Sequence, residues 1–139
     1  MIQLRKQLSW VNWLTIVWAI YTAAWISLEG LLVRVVVMGI GTTAVLLAHF
    51  MRRYLAERPF SLWGWLGITA VLGLAGGSGS VLFTLLAMVL KTGLHAHGPE
   101  FTPSEISWVI SQLALWSVIG LLVGLGSGLL FAAARASET

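Results

Sequence analysis

Four long runs of apolar residues separated by short polar breaks organise this chain. None alternates with the period of two that a lipid-facing strand needs; each continues unbroken for about the 20 residues that carry an α-helix across a ~30 Å hydrocarbon layer. The pattern predicts helix 1 at Trp10–Leu28, helix 2 at Leu31–Phe50, helix 3 at Trp65–Leu90 and helix 4 at Trp108–Phe131. Glu29 and Gly30 make a tight turn between the first two. The break after the second, Met51 to Ser61, holds Arg52, Arg53, Arg58 and Pro59 and cannot remain in lipid. Ahead of helix 4, Thr102-Pro103-Ser104-Glu105 spells a capping box, with Thr102 as N-cap, Pro103 at the first helical position and Glu105 at the third. Phe101 and Ile106 stand at the two positions of a hydrophobic staple. Helix 4 is therefore expected to start about a turn outside the membrane, and Glu105 is read as a cap rather than a catalytic acid.

Composition makes lipid the solvent: 58% of the 139 residues are hydrophobic and 9% charged, against roughly a quarter charged in an ordinary soluble chain. The expected fold class is an all-α integral membrane protein, one domain over residues 1–139, with four transmembrane helices in an up-and-down bundle. Arg5 and Lys6 precede helix 1 as in a signal peptide, but the apolar run is a full span and lacks a small-x-small cleavage site, so it reads as an uncleaved helix. Arg5, Lys6, Arg52, Arg53, Arg58 and Arg135 fall on one side of such a bundle, with only Arg34 and Lys91 on the other. The positive-inside rule then puts both termini in the cytoplasm, in a cytoplasmic or equivalent energy-transducing membrane. The net charge of +3 is accounted for by topology, and nucleic acid is excluded as a partner because no aromatic-interleaved basic surface exists.

Helix 1 gathers Trp10, Trp18, Tyr21 and Trp25 within an arc of about 80°, opposite Asn12, Thr15, Ala19 and Ala23. Lipid supplies no hydrophobic force between helices, so small faces, which let backbones approach, are expected to point into the bundle and the aromatic face outward. Arg34 and Lys91 are expected to snorkel to the nearer surface. Helix 4 carries Gly120, Gly124, Gly128 and Ala132 at every fourth position, and helix 3 carries Thr69, Gly73 and Gly77 at the same spacing. These ridges read as close packing within the chain, with a contact between copies as the alternative. Gly76-Gly77-Ser78-Gly79-Ser80 is either continuous helix or a break around a cavity; no charge lies at that depth, which favours the continuous helix.

Chemistry is sparse. Cysteine and aspartate are absent, and the acids are Glu29, Glu57, Glu100, Glu105 and Glu138. Length and span count resemble those of small four-helix exporters, whose first-helix glutamate has no counterpart here. His49 sits near one end of helix 2 and His95 and His97 near the opposite end, too far apart for one bis-histidine haem. His49 alone is a candidate ligand for a haem or a chlorophyll-type pigment. His95, His97 and Glu100 form a candidate zinc or copper site. No nucleophile with an orienting pair is present, so an enzyme is not expected. The expected function is a non-catalytic accessory subunit of a larger membrane complex, respiratory or photosynthetic, among lipids and other transmembrane subunits. The alternatives are a homo-oligomeric channel or carrier and an outer-face metal-binding or sensor protein.

Overall fold

The computed structural model describes residues 9–28, 30–94 and 98–137. Five α-helices and one π-helical turn make up their regular structure, and no strand occurs among the described residues: α1 (Ser9–Ile26), α2 (Leu32–Phe50), the π turn (Met51–Leu55), α3 (Leu62–Leu94), α4 (Pro103–Ser111) and α5 (Leu113–Ala136). Leu32–Leu55, Leu62–Leu94 and Pro103–Ala136 are each long and apolar enough to cross a membrane. α1 is a shorter apolar helix of 18 residues, about 27 Å at 1.5 Å rise per residue.

Each helix end has a local cause. α3 starts three residues before the expected Trp65 because Ser61 caps it, its Oγ accepting from Gly64 N at 3.1 Å while Trp65 N bonds Ser61 O at 2.9 Å. α4 starts at Pro103 under the complete capping box, with Thr102 N donating to Glu105 Oε2 at 2.8 Å and Glu105 N to Thr102 Oγ1 at 3.3 Å. The break between α4 and α5 follows from competition for one carbonyl. Ser111 Oγ takes Trp108 O at 2.6 Å and Gln112 Nε2 also reaches it, so Gln112 N turns to Val109 O instead. The π turn closes where Ala56 N reaches back to Met51 O at 3.0 Å.

α3 is the central element. α2 and α5 both pack along it antiparallel, α1 packs antiparallel on α2, and α4 rests on the far end of α3. Arg52, Arg53, Arg58 and Arg135 consequently collect at one end of the molecule, and Arg34 and Lys91 at the other. The apolar core, built on Trp25, Val35, Met38, Val81, Met88, Phe101 and Val109, lies in the Lys91 half. Elsewhere small and hydroxyl-bearing residues are inside, with Thr43, Thr69, Ser80 and Thr84 buried, while Trp63, Val33 and Leu130 are 81%, 73% and 74% exposed. That distribution, small inside and large apolar outside, is what close packing in a hydrocarbon solvent produces.

The expected orientation of α1 holds at its start, where Trp10 is exposed and Thr15 meets His49 of α2, and is reversed over its second half. Trp25 is buried in the core, Trp18 and Tyr21 are half-buried, and Ala19 and Ala23 face outward. The cause lies on α2, where Gly41 leaves a slot filled by the Trp18 indole, whose Nε1 donates to Thr42 Oγ1 at 3.3 Å. Hydrocarbon offers no such acceptor, so the amphipathic ring turns inward. Trp18 also stacks on Tyr21, with ring centroids 5.0 Å apart.

Candidate functional site

The glycine ridges of α3 and α5 face one another. A Cβ on Gly73 would lie 2.8 Å from Gly124 Cα, one on Gly124 would lie 3.0 Å from Gly73 Cα, and one on Gly120 would lie 2.9 Å from Gly77 N. Gly128 sits against Thr69 and Leu66, and its carbonyl accepts from Trp65 Nε1 at 3.1 Å. Backbone thus meets backbone along the seam, which only glycine permits at this separation. The α2 contact is similar. A Cβ on Gly39 would reach Thr84 N at 2.6 Å, and one on Gly79 would reach Thr43 Cγ2 at 3.0 Å.

Because α2 and α5 both use α3 and leave a gap between themselves, a groove of about 470 Å³ opens along it. Gly73, Gly76 and Gly77 form its floor, and Ile40, Leu47, Trp116, Ile119 and Val123 are among its walls. α3 runs unbroken through Gly76–Ser80 beneath it. Four hydroxyl-bearing residues border the groove, and each donates within its own helix: Thr43 to Gly39 O at 2.8 Å, Thr69 to Leu66 O at 3.1 Å, Ser80 to Gly76 O at 2.7 Å and Ser127 to Gly124 O at 3.0 Å. The groove therefore offers mainly shape and dispersion contact, and its hydroxyls are not ready hydrogen-bond donors.

Polar links tie α1 down at both of its ends. Lys91, fully buried at 0% exposure, does not snorkel. Its Nζ donates to Trp25 O at 3.0 Å, Ile26 O at 2.9 Å and Leu28 O at 2.5 Å, and stands 4.9 Å from the centroid of the Trp25 ring. These carbonyls lie in the last turn of α1 and the turn that follows it, where Trp25 O also accepts from Leu28 N at 3.1 Å, and a cation is what the negative end of the helix dipole favours. The same turn is covered by Glu100, whose carboxylate lies against Gly30 so closely that no Cβ would fit there.

At the arginine-rich end Thr15 Oγ1 donates to Val11 O at 2.8 Å and so faces His49 Nε2, 2.7 Å away, as an acceptor. The His49 ring accordingly carries its proton on Nε2, and its Nδ1 accepts from Arg52 Nη2 over a longer 3.4 Å. Arg52 Nη1 donates to Asn12 Oδ1 at 2.5 Å. At the start of α4, Thr102 holds the Glu105 carboxyl below the ordinary glutamate range, chiefly by its backbone N–H and then by its hydroxyl.

Of the residues singled out from sequence, Gly73, Gly77, Gly120, Gly124 and Gly128 come together in one seam. His49 has both ring nitrogens engaged, so a haem or pigment metal would have to displace Thr15 or Arg52. His95 and His97 lie outside the described residues; Glu100 packs on Gly30, and no group of three metal-ligating side chains occurs among the described residues. The groove and the Lys91 cap were not anticipated. A hint of the cap was present, since Lys91 is a cation at the same end of the bundle as the polar turn after α1. No family model, no curated protein and no solved structure matches this chain.

Proposed function

We propose that this protein is a non-catalytic accessory subunit of a larger membrane assembly, and that the α2–α3–α5 groove receives a transmembrane helix of a neighbouring subunit. In this reading all four apolar segments cross the bilayer, α1 included. The arginine-rich end is cytoplasmic by the positive-inside rule, which places both termini inside, in the cytoplasmic or an equivalent membrane. The carrying observation is the groove: its floor is open at Gly76, where an added Cβ would meet only Leu47 Cδ1 at 3.5 Å, while the absence of outward hydroxyl donors suits an apolar occupant and not a polar substrate in transit. That second property weighs against the channel or carrier reading.

A photo-crosslinking amino acid placed at Ile119, on the groove wall, tests the proposal in native membranes. The expected product is an adduct with one chain of a different mass, identified after gentle detergent extraction. Adducts with copies of the protein itself, or with lipid alone, would refute the accessory role.

A further inference from the structure

The corner where Arg52 meets Asn12 has a donor inventory that selects a ligand. Asn12 Oδ1 and His49 Nδ1 both accept from Arg52. Both of these acceptors thus face Arg52. What remains outward is the Asn12 amide N–H₂ and the other guanidinium N–H groups of Arg52, for which no acceptor occurs among the described residues. Asn12 is exposed, and Arg52 pairs with no carboxylate among the described residues. A surface rich in donors and with a net positive charge matches an anion rich in oxygen acceptors, and the planar guanidinium suits phosphate in particular.

Depth supplies the source. Arg52 follows directly on Phe50 and Met51 at the end of the apolar helix α2, and the exposed indoles of Trp10 and Trp13 flank Asn12 on α1. Exposed tryptophans at a helix end mark the headgroup layer. We propose that Asn12 and Arg52 bind the phosphate group of an anionic phospholipid at this end of the molecule. His49 and Thr15 act as positioning residues: the Thr15–His49 bond fixes the ring so that its lone pair orients Arg52. The proposal rests on the membrane placement and is independent of the accessory role.

Native mass spectrometry of the delipidated full chain tests it, with phosphatidylglycerol, phosphatidylcholine and inorganic phosphate each offered in turn. Phosphatidylglycerol is expected to be retained preferentially. Arg52→Gln should reduce that retention on the order of tenfold, the change associated with losing one charge-assisted hydrogen bond. Arg53→Gln, which removes an equal charge beside the Tyr54 ring, should leave it unchanged. Asn12→Asp separates binding from folding, because a carboxylate can still pair with Arg52 and hold α1 to α2 while repelling phosphate. It should abolish lipid retention without lowering stability. Equal losses in the Arg52 and Arg53 variants would reduce the effect to general charge attraction and overturn the site. Undiminished retention in Asn12→Asp would overturn it too, and binding of inorganic phosphate without phosphatidylglycerol would overturn the lipid assignment.

Discussion

Gly124 and Gly126 lie two residues apart on α5 and should answer an added methyl group in different ways. At Gly124 the new Cβ would stand 3.0 Å from Gly73 Cα and closer still to Thr69 O, whereas at Gly126 nothing lies within 4 Å. Carbon atoms rest about 3.5–4.0 Å apart, so Gly124→Ala requires α3 and α5 to part by at least about half an ångström at that point. The seam is continuous from Trp65–Gly128 to Gly77–Trp116, so the strain is shared with neighbouring contacts. A gap of ~0.5–1 Å forfeits about a quarter to a half of each dispersion contact, and overpacking of this kind typically costs ~1–3 kcal/mol. The helix-propensity gain of alanine, at most about 1 kcal/mol in water, shrinks in lipid, because the helix persists in the inserted unfolded state. Gly124→Ala is therefore expected to lose about 1–3 kcal/mol and Gly126→Ala to stay within about 0.5 kcal/mol. Unfolding in mixed micelles by increasing dodecyl sulfate, followed by tryptophan fluorescence, measures both. Equal stability of the two variants would refute the seam.

The Lys91 cap makes a separate prediction: Lys91→Met leaves the Trp25, Ile26 and Leu28 carbonyls without their cation, at ~1.5–3 kcal/mol for a charged hydrogen bond, partly offset because a buried ammonium no longer has to be desolvated. A net loss of about 1–2 kcal/mol is expected, with faster hydrogen exchange confined to the last turns of α1 and the start of α2; unchanged exchange there would show that the cap holds nothing. Thr102→Ala should destabilise the start of α4 by about 1 kcal/mol, read as faster exchange of the Glu105 and Ile106 amides. Since the folded Glu105 carboxyl sits below its ordinary range, the cap should be fully formed at neutral pH and weaken as acid takes pH down through that depressed value. Glu105→Gln should flatten the pH response, and a cap insensitive to acid in the parent protein would contradict the assignment.

The sequence by itself determined the main helices, though not the π turn after α2 or the break at Gln112 that divides the fourth apolar run into α4 and α5. Apolar runs of a helix's length, Thr102-Pro103-Ser104-Glu105 and the four-residue glycine spacing are all local, and the physics that acts on them is local too: hydrocarbon leaves the backbone no partner but itself, and an N-cap needs only the next turn. Tertiary structure decided which faces meet. Helix 1 alone could not reveal that Trp18 turns inward, because the slot and the acceptor belong to Gly41 and Thr42 on another helix. Lys91 was legible as a cation near an interface, yet its burial depends on carbonyls that lie at the end of α1, more than 60 residues away in sequence. The groove left no local sign, since it is the space that remains when α2 and α5 share α3, and a space has no residue of its own to announce it. Side-chain partnership across a bundle is set by relative helix rotation, which depends on all the contacting faces together and on none of them separately.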